Sequence, residues 1–308
     1  MQFIDLHCDT ITTAFDKKVS MEENNLHIDF KRLTAFNAPV QFFAVWLNDK
    51  CLEKPFESTL KYIEFFRSEL NKTKYPIRFA RSYTDIIYNR NKRVTSALLS
   101  VEGGEAIEND LENIHRLQGL GARIFTLTWN RKNNLGTGAL ADSDEGLTDF
   151  GRAAVKELNK ADIFVDVSHL NEKGFYDVCS ITDKPIMASH SNSYELCPSP
   201  RNLTDDQIRE IAKLGGVIGF NLCADFISSD GNPNHEDVIR QIEHILNVGG
   251  ENILGLGCDY DGITNTPKNL EDVGCSVFFF NLIEKYLGED IAQKIFYANL
   301  DMFFQNNL

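Results

Sequence analysis

Phe3-Ile4-Asp5-Leu6-His7-Cys8-Asp9 opens the chain as a short apolar run that ends on two side chains able to bind a metal. The same construction recurs downstream. SALLSVE (96–102) stops at Glu102, IFVDVSH (163–169) at His169, PIMASH (185–190) at His190, and ILGLGCD (253–259) at Asp259. Six potential ligands from five separate strand-like segments cannot meet along an open string. They can meet at the rim of a closed parallel barrel, where the strand ends converge.

The remaining apolar runs support that closure. With 40–47, 123–128 and 216–222 there are eight, each short, rich in Val, Ile, Leu and Phe, and mostly without strict alternation. Strands covered on both faces read this way. Helical patterns separate them. Ile107, Leu111, Ile114 and Leu117 form one stripe over 107–120, stopped by Gly119 and Gly121. Thr204 and Gln207 make a capping box before Ile208, and 236–248 ends at Gly249-Gly250. Two further helices are predicted at about 57–71 and 83–91, and two more, 274–287 and 289–305, close the chain. Strand alternating with helix eight times predicts an α/β fold, a (β/α)8 TIM barrel, with residues 1–308 as a single domain and the metal site at the C-terminal ends of the strands. A doubly wound sheet needs a glycine-rich phosphate turn after the first strand, and His7-Cys8-Asp9-Thr10 provides none.

Composition narrows the partners. A net charge of −14 repels nucleic acid and anionic membrane alike. No apolar run is long enough to span a bilayer, and Phe3 enters a strand pattern directly without a basic leader, so a cytoplasmic enzyme is expected. The seven cysteines form no C-x-x-C pair and read as reduced structural thiols.

In a strand, residues two apart share a face, which predicts that His7 and Asp9 point to the barrel axis and Cys8 to the helices. Glu102 precedes Gly103-Gly104, which leaves room for a ligand. Asp259 closes the set, since the last strand of a closed barrel lies beside the first. Asp261 is its rival, and the following Gly262 suggests a turn role there. Three histidines and three carboxylates exceed the needs of one tetrahedral Zn2+. They suit two divalent ions sharing a bridging carboxylate. Mixed nitrogen and oxygen ligation favours Zn2+, with Mn2+ or Co2+ possible.

DLHCDT, SVEGGE, TLTWN, DVSHL, ASHSNSYELCPSPRN and GLGCDYDG, in this order over nearly the whole chain, resemble the membrane (renal-type) dipeptidase family, peptidase family M19, of the amidohydrolase superfamily. The resemblance implies that His7, Asp9 and Glu102 bind one zinc, and that Glu102 bridges to a second held by His169 and His190. It implies Asp259 on the water between them, Arg201 gripping the substrate carboxylate, and a homodimer. Phe278, Phe279, Phe280, Phe296, Phe303 and Phe304 could supply an interface, although rings at helical spacing are more often core.

Two positions depart from the family pattern. Trp129 in TLTWN replaces a histidine thought to polarise the substrate carbonyl, and Cys223 replaces a tyrosine. Indole offers only a neutral N–H. Asn130, Asn133 or the metal would then take over, or Trp129 simply packs. The expected function is a zinc-dependent dipeptidase using hydroxide activated by a metal pair, with Asp259 and Glu102 as catalytic residues and Arg201, Trp129 and Asn130 at the substrate. The alternative is an amidohydrolase acting on another small amide such as an N-acyl amino acid. A non-catalytic barrel that stores metal would need neither paired charges nor a carboxylate clamp.

Overall fold

The computed structural model describes residues 1–308. Nine strands run in parallel: β1 Ile4–Asp5, β2 Val40–Trp46, β3 Ile77–Phe79, β4 Thr95–Glu102, β5 Ala122–Thr126, β6 Phe164–Asp166, β7 Met187–Ala188, β8 Val217–Phe220 and β9 Leu254–Leu256. Their order is β2-β1-β9-β8-β7-β6-β5-β4-β3, and a further β2–β4 pairing closes eight of them into a ring. The eight correspond to the eight apolar runs. β3 was not among them. β2 occupies one edge of β4 from Ser96 to Glu102, so β3 and β5 share the other. β3 takes Thr95–Ala97 and β5 takes Leu99–Glu102, with a register shift at Leu99/Ser100 where one gives way to the other.

Burial divides by face. Ile4, Leu6, Val40, Phe42, Leu98, Ile124, Phe164, Met187 and Val217 fill the barrel interior, while a larger cluster lies between strands and helices. The helix Asn299–Asn307 closes the floor, where Phe304 stacks on Phe42 at 5.3 Å and Phe303 meets Phe164 at 5.1 Å. β9 turns Gly255 inward, and a side chain there would overlap Leu300 of that helix. Thus Phe303 and Phe304 plug the barrel, and Phe279 and Phe296 are buried as well. Only Phe278 of the phenylalanine-rich tail is exposed, so the tail is mostly core rather than a free apolar face.

The helices follow their signals with two differences. Thr204 and Gln207 form the capping box, and Asn234 forms a second with Asp237 before His235–Gly249. Pro55–Lys72 and Tyr83–Asn91 match the expected pair. The stripe over 107–120 is instead broken into a 3-10 turn ending at Ile107 and a helix Glu112–Gly119, because Glu108 turns the chain with φ 55°. The final helix is interrupted by a π turn at Lys294–Ala298. No helix is long and apolar enough to cross a membrane.

Candidate metal centre and active site

All six expected ligands lie at or just beyond strand ends at one mouth. Glu102 is the last residue of β4. His7 follows β1 by two residues, and His190 follows β7 by two. His169 and Asp259 each stand three residues past their strands with left-handed backbones, φ 67° and 60°. That conformation costs a non-glycine residue about 1–2 kcal/mol, and such strain concentrates where a side chain must point a particular way. The expected strand geometry at His7 and Asp9 is corrected. β1 ends at Asp5, and Asp9 begins the helix Thr10–Lys17. Ile4 and Leu6 face the interior while Cys8 packs with the outer cluster, so the alternation breaks at His7.

Glu102 stands at the centre. Its Oε2 lies 3.5 Å from His7 Nε2, and its Oε1 lies 2.9 Å from His169 Nε2 and 3.9 Å from His190 Nε2. His7 Nε2 also approaches Asp9 Oδ2 at 3.3 Å and Asp259 Oδ1 at 3.8 Å. The ligand atoms of His7, Glu102 and His190 lie within 4.8 Å of one another, as do those of His7, Asp9 and Asp259. Asp261 is separate. It accepts from Thr10 Oγ1 at 2.5 Å and from the His27 amide at 2.7 Å, tying the 20–29 loop to the mouth.

Three buried carboxylates, Asp9, Glu102 and Asp259, converge on one centre. Burial and the Glu102 charge push the Asp9 carboxyl up to about 6. Burial pushes Asp259 up to about 7, with His7 opposing and Asp9 and Glu102 adding to it. Burial also works against an ionised Glu102, but the imidazoles at its two oxygens outweigh it and hold its carboxyl well below the usual range. Burial and the Arg201 guanidinium press His169 down to about 4. Asp9 Oδ1 and His7 Nδ1 are buried with no hydrogen-bond partner. His169 Nε2 faces His190 Nε2 at 2.8 Å with Glu102 Oε1 against both. Potential ligand atoms crowd this space. A cation is the counterpart that such a donor set fits. Gly262 makes room for it, because any side chain there would overlap Asp9 Oδ2 and Asp259 Oδ1.

A 420 Å3 cavity opens over the cluster, lined by Asp9, Glu102, His169 and Asp259 and walled by Trp46, Trp129, Cys223, Phe226 and Ile263. The Trp46 and Trp129 rings lie 5.1 Å apart. Asn130 also lines it and faces His169 Nδ1 at 2.7 Å through Oδ1, so it holds a ligand candidate in place. Asn133 instead donates to Leu127 O and Glu105, away from the cluster. Arg201 is buried beside the site, with Nη2 3.4 Å from His190 O, its Cζ 5.4 Å from the Phe226 ring centre and Nε without a partner. It borders a neighbouring 350 Å3 cavity that shares His169, rather than the larger one directly.

Two further residues face the site without having been expected there: Trp46, which ends β2, and Asn221, which follows β8 and donates to Asp259 Oδ2 at 2.9 Å. Both obey the rule that found the ligands. They sit where an apolar run meets the mouth.

A profile of the membrane dipeptidase family (peptidase family M19) matches residues 1–303. The chain is 32% identical over 271 residues to an uncharacterized dipeptidase of Schizosaccharomyces pombe, covering 82% of this chain and 65% of that protein. It thus spans about two thirds of that relative's length. An uncharacterized Klebsiella pneumoniae protein of the pqqA 5′ region is 35% identical over 207 residues, 64% of this chain and 76% of its own. A Rhodobacter sphaeroides metallo peptidase, solved with a phosphinate mimic of the dipeptide L-Ala-D-Ala, superposes with TM-score 0.92 at 26% identity over 100% of this chain and 99% of its own. A family M19 dipeptidase, a metallo peptidase, gives TM-score 0.91 at 27% identity over 100% and 98%. With its ring of mouth residues and this breadth of match, the chain belongs to the membrane dipeptidase family, peptidase family M19, and is a metallo-dipeptidase.

Proposed function

We propose that this dipeptidase works with two divalent cations, Zn2+ foremost, one held by His7, Asp9 and Glu102 and the other by Glu102, His169 and His190. The observation that carries this reading is the central place of Glu102, whose two oxygens face His7 and His169 separately. When bound, such a pair supplies a water nucleophile at neutral pH and stabilises charge on the carbonyl oxygen.

The protein's own groups do the rest. Asp259 has Oδ2 occupied by Asn221, which leaves Oδ1 to take a proton from the attacking water and return it to the departing amine. Arg201 grips the C-terminal carboxylate. Its planar guanidinium suits a two-point contact, and its Nε has no other partner. Asn130 keeps His169 oriented, and Trp46 and Trp129 exclude water from one wall. A cytoplasmic location is supported by seven free cysteines.

Trp129 and Cys223 line the cavity, and these substitutions favour a second reading, hydrolysis of another small amide such as an N-acyl amino acid. The acidic lining, Asp9, Asp16, Glu102, Asp259 and Asp261 against Lys17, suits a free ammonium better than an acyl cap. Steady-state assays on L-L and L-D dipeptides, their C-terminal amides and N-acyl amino acids test the choice. Cleavage of free dipeptides, with kcat/KM much reduced for the amides, is expected. Turnover of N-acyl amino acids with every dipeptide inert would establish the second reading.

A further inference from the structure

Beneath the cluster, a buried chain of polar groups runs from Asp166 to His190. We infer that Asp166 and Ser189 are positioning residues that fix the tautomer of His190, so that its Nε2 turns a lone pair toward the metal position. The inference rests on the reading of His190 as a ligand.

Asp166, the last residue of β6, is fully buried. Its Oδ1 accepts from the amides of Ser168 at 3.0 Å and Ser189 at 2.9 Å. Its Oδ2 accepts from the hydroxyls of Thr126 and Ser189, both at 2.5 Å. Four donors therefore converge on one carboxylate, and the only hydrogen of the Ser189 hydroxyl is committed to it. Ser189 Oγ also lies 2.7 Å from His190 Nδ1. Having no hydrogen left, it can only accept there, so Nδ1 carries the proton and Nε2 does not. That nitrogen is the one 2.8 Å from His169 Nε2 and 3.9 Å from Glu102 Oε1. The His190 amide donates to Ser168 Oγ at 3.1 Å, which fixes the backbone as well. Partners of this kind set a ligand's tautomer and strengthen it as an electron donor.

A purely structural role for Asp166, tying β6 to β7, predicts the same burial but no dependence of the imidazole on the carboxylate. Asp166→Asn separates the two. The two amides need an acceptor, so the asparagine keeps its oxygen at Oδ1 and places its amide nitrogen toward Thr126 and Ser189. Ser189 Oγ then accepts, its hydrogen is released toward His190 Nδ1, and the imidazole proton moves to Nε2, pointing at the metal position. Thr126→Val removes a hydroxyl from the same oxygen and leaves the relay intact.

The test has two readouts on the full chain at pH 8: the 15N signals of His190 in metal-free protein, and Zn2+ affinity by competition with a chelating dye. Wild type is expected to show the Nδ1–H form and Asp166→Asn the Nε2–H form, with affinity for one ion lowered roughly 10–100-fold. Ser189→Ala should weaken affinity less, and Thr126→Val should stay close to wild type. An Nε2–H imidazole in wild type overturns the inference even if Asp166→Asn does not fold. So does unchanged affinity in folded Asp166→Asn while His190→Ala loses an ion. Full affinity in His190→Ala would instead overturn the ligand reading on which the relay rests.

Discussion

Glu102 and His169 meet at 2.9 Å between Oε1 and Nε2, bringing the end of β4 against the loop that follows β6. The second oxygen of Glu102 faces His7 instead, at 3.5 Å. A carboxylate shared in this way should matter to both ions, whereas His169 should matter to one. Glu102→Gln is therefore expected to lower bound metal more than His169→Ala, counted by plasma emission after gel filtration. Equal losses in the two variants would contradict a bridging role.

Asp259 stands slightly apart, with Oδ1 3.8 Å from His7 and Oδ2 held by Asn221. Asp259→Asn keeps the size and the polar contacts but cannot relay a proton. Loss of a general acid–base group lowers kcat by roughly 10²–10⁴-fold. That loss is expected with KM and metal content little changed, measured on the same preparation.

Gly262 is needed for space rather than for backbone freedom. Its φ is not in the left-handed region, so alanine fits the chain, but the added methyl meets Asp9 Oδ2 and Asp259 Oδ1. Gly262→Ala should leave the metal-free protein as stable to urea as wild type. It should weaken Zn2+ binding by roughly tenfold or more, the scale of disturbances that misplace ligands.

At the opposite end, Phe304 is fully buried and stacks on Phe42. Truncating a buried phenylalanine costs about 3–5 kcal/mol. Phe304→Ala is expected to lose that much in urea unfolding of the metal-free protein. Below its melting temperature kcat should be nearly unchanged, because the plug lies across the barrel from the ligands.

The eight barrel strands were legible because each packs on two faces and so reads as an unbroken apolar run. β3 was not: of Ile77, Arg78 and Phe79 only Ile77 is buried, and three residues carry no period. The ligand positions were legible because a polar residue ending such a run is conspicuous. What they do to one another was not. The break in alternation at His7 depends on Asp9 starting a helix, and the partnership of Asn130 with His169 crosses two loops. Asp166 and Ser189 precede ligands already noticed and read as ordinary polar residues inside a strand. Arg201 was placed beside the site by resemblance alone, and its stacking under Phe226 comes from a loop that no local pattern describes.

The proposal rests on a pair of divalent ions held by side chains from four strand ends and required for dipeptide hydrolysis. Metal counting with stepwise chelation tests it most directly. Two ions per chain are expected, with hydrolysis that vanishes on depletion and recovers fully only with the second equivalent of Zn2+. Undiminished cleavage by protein holding less than about a tenth of an ion per chain would contradict it.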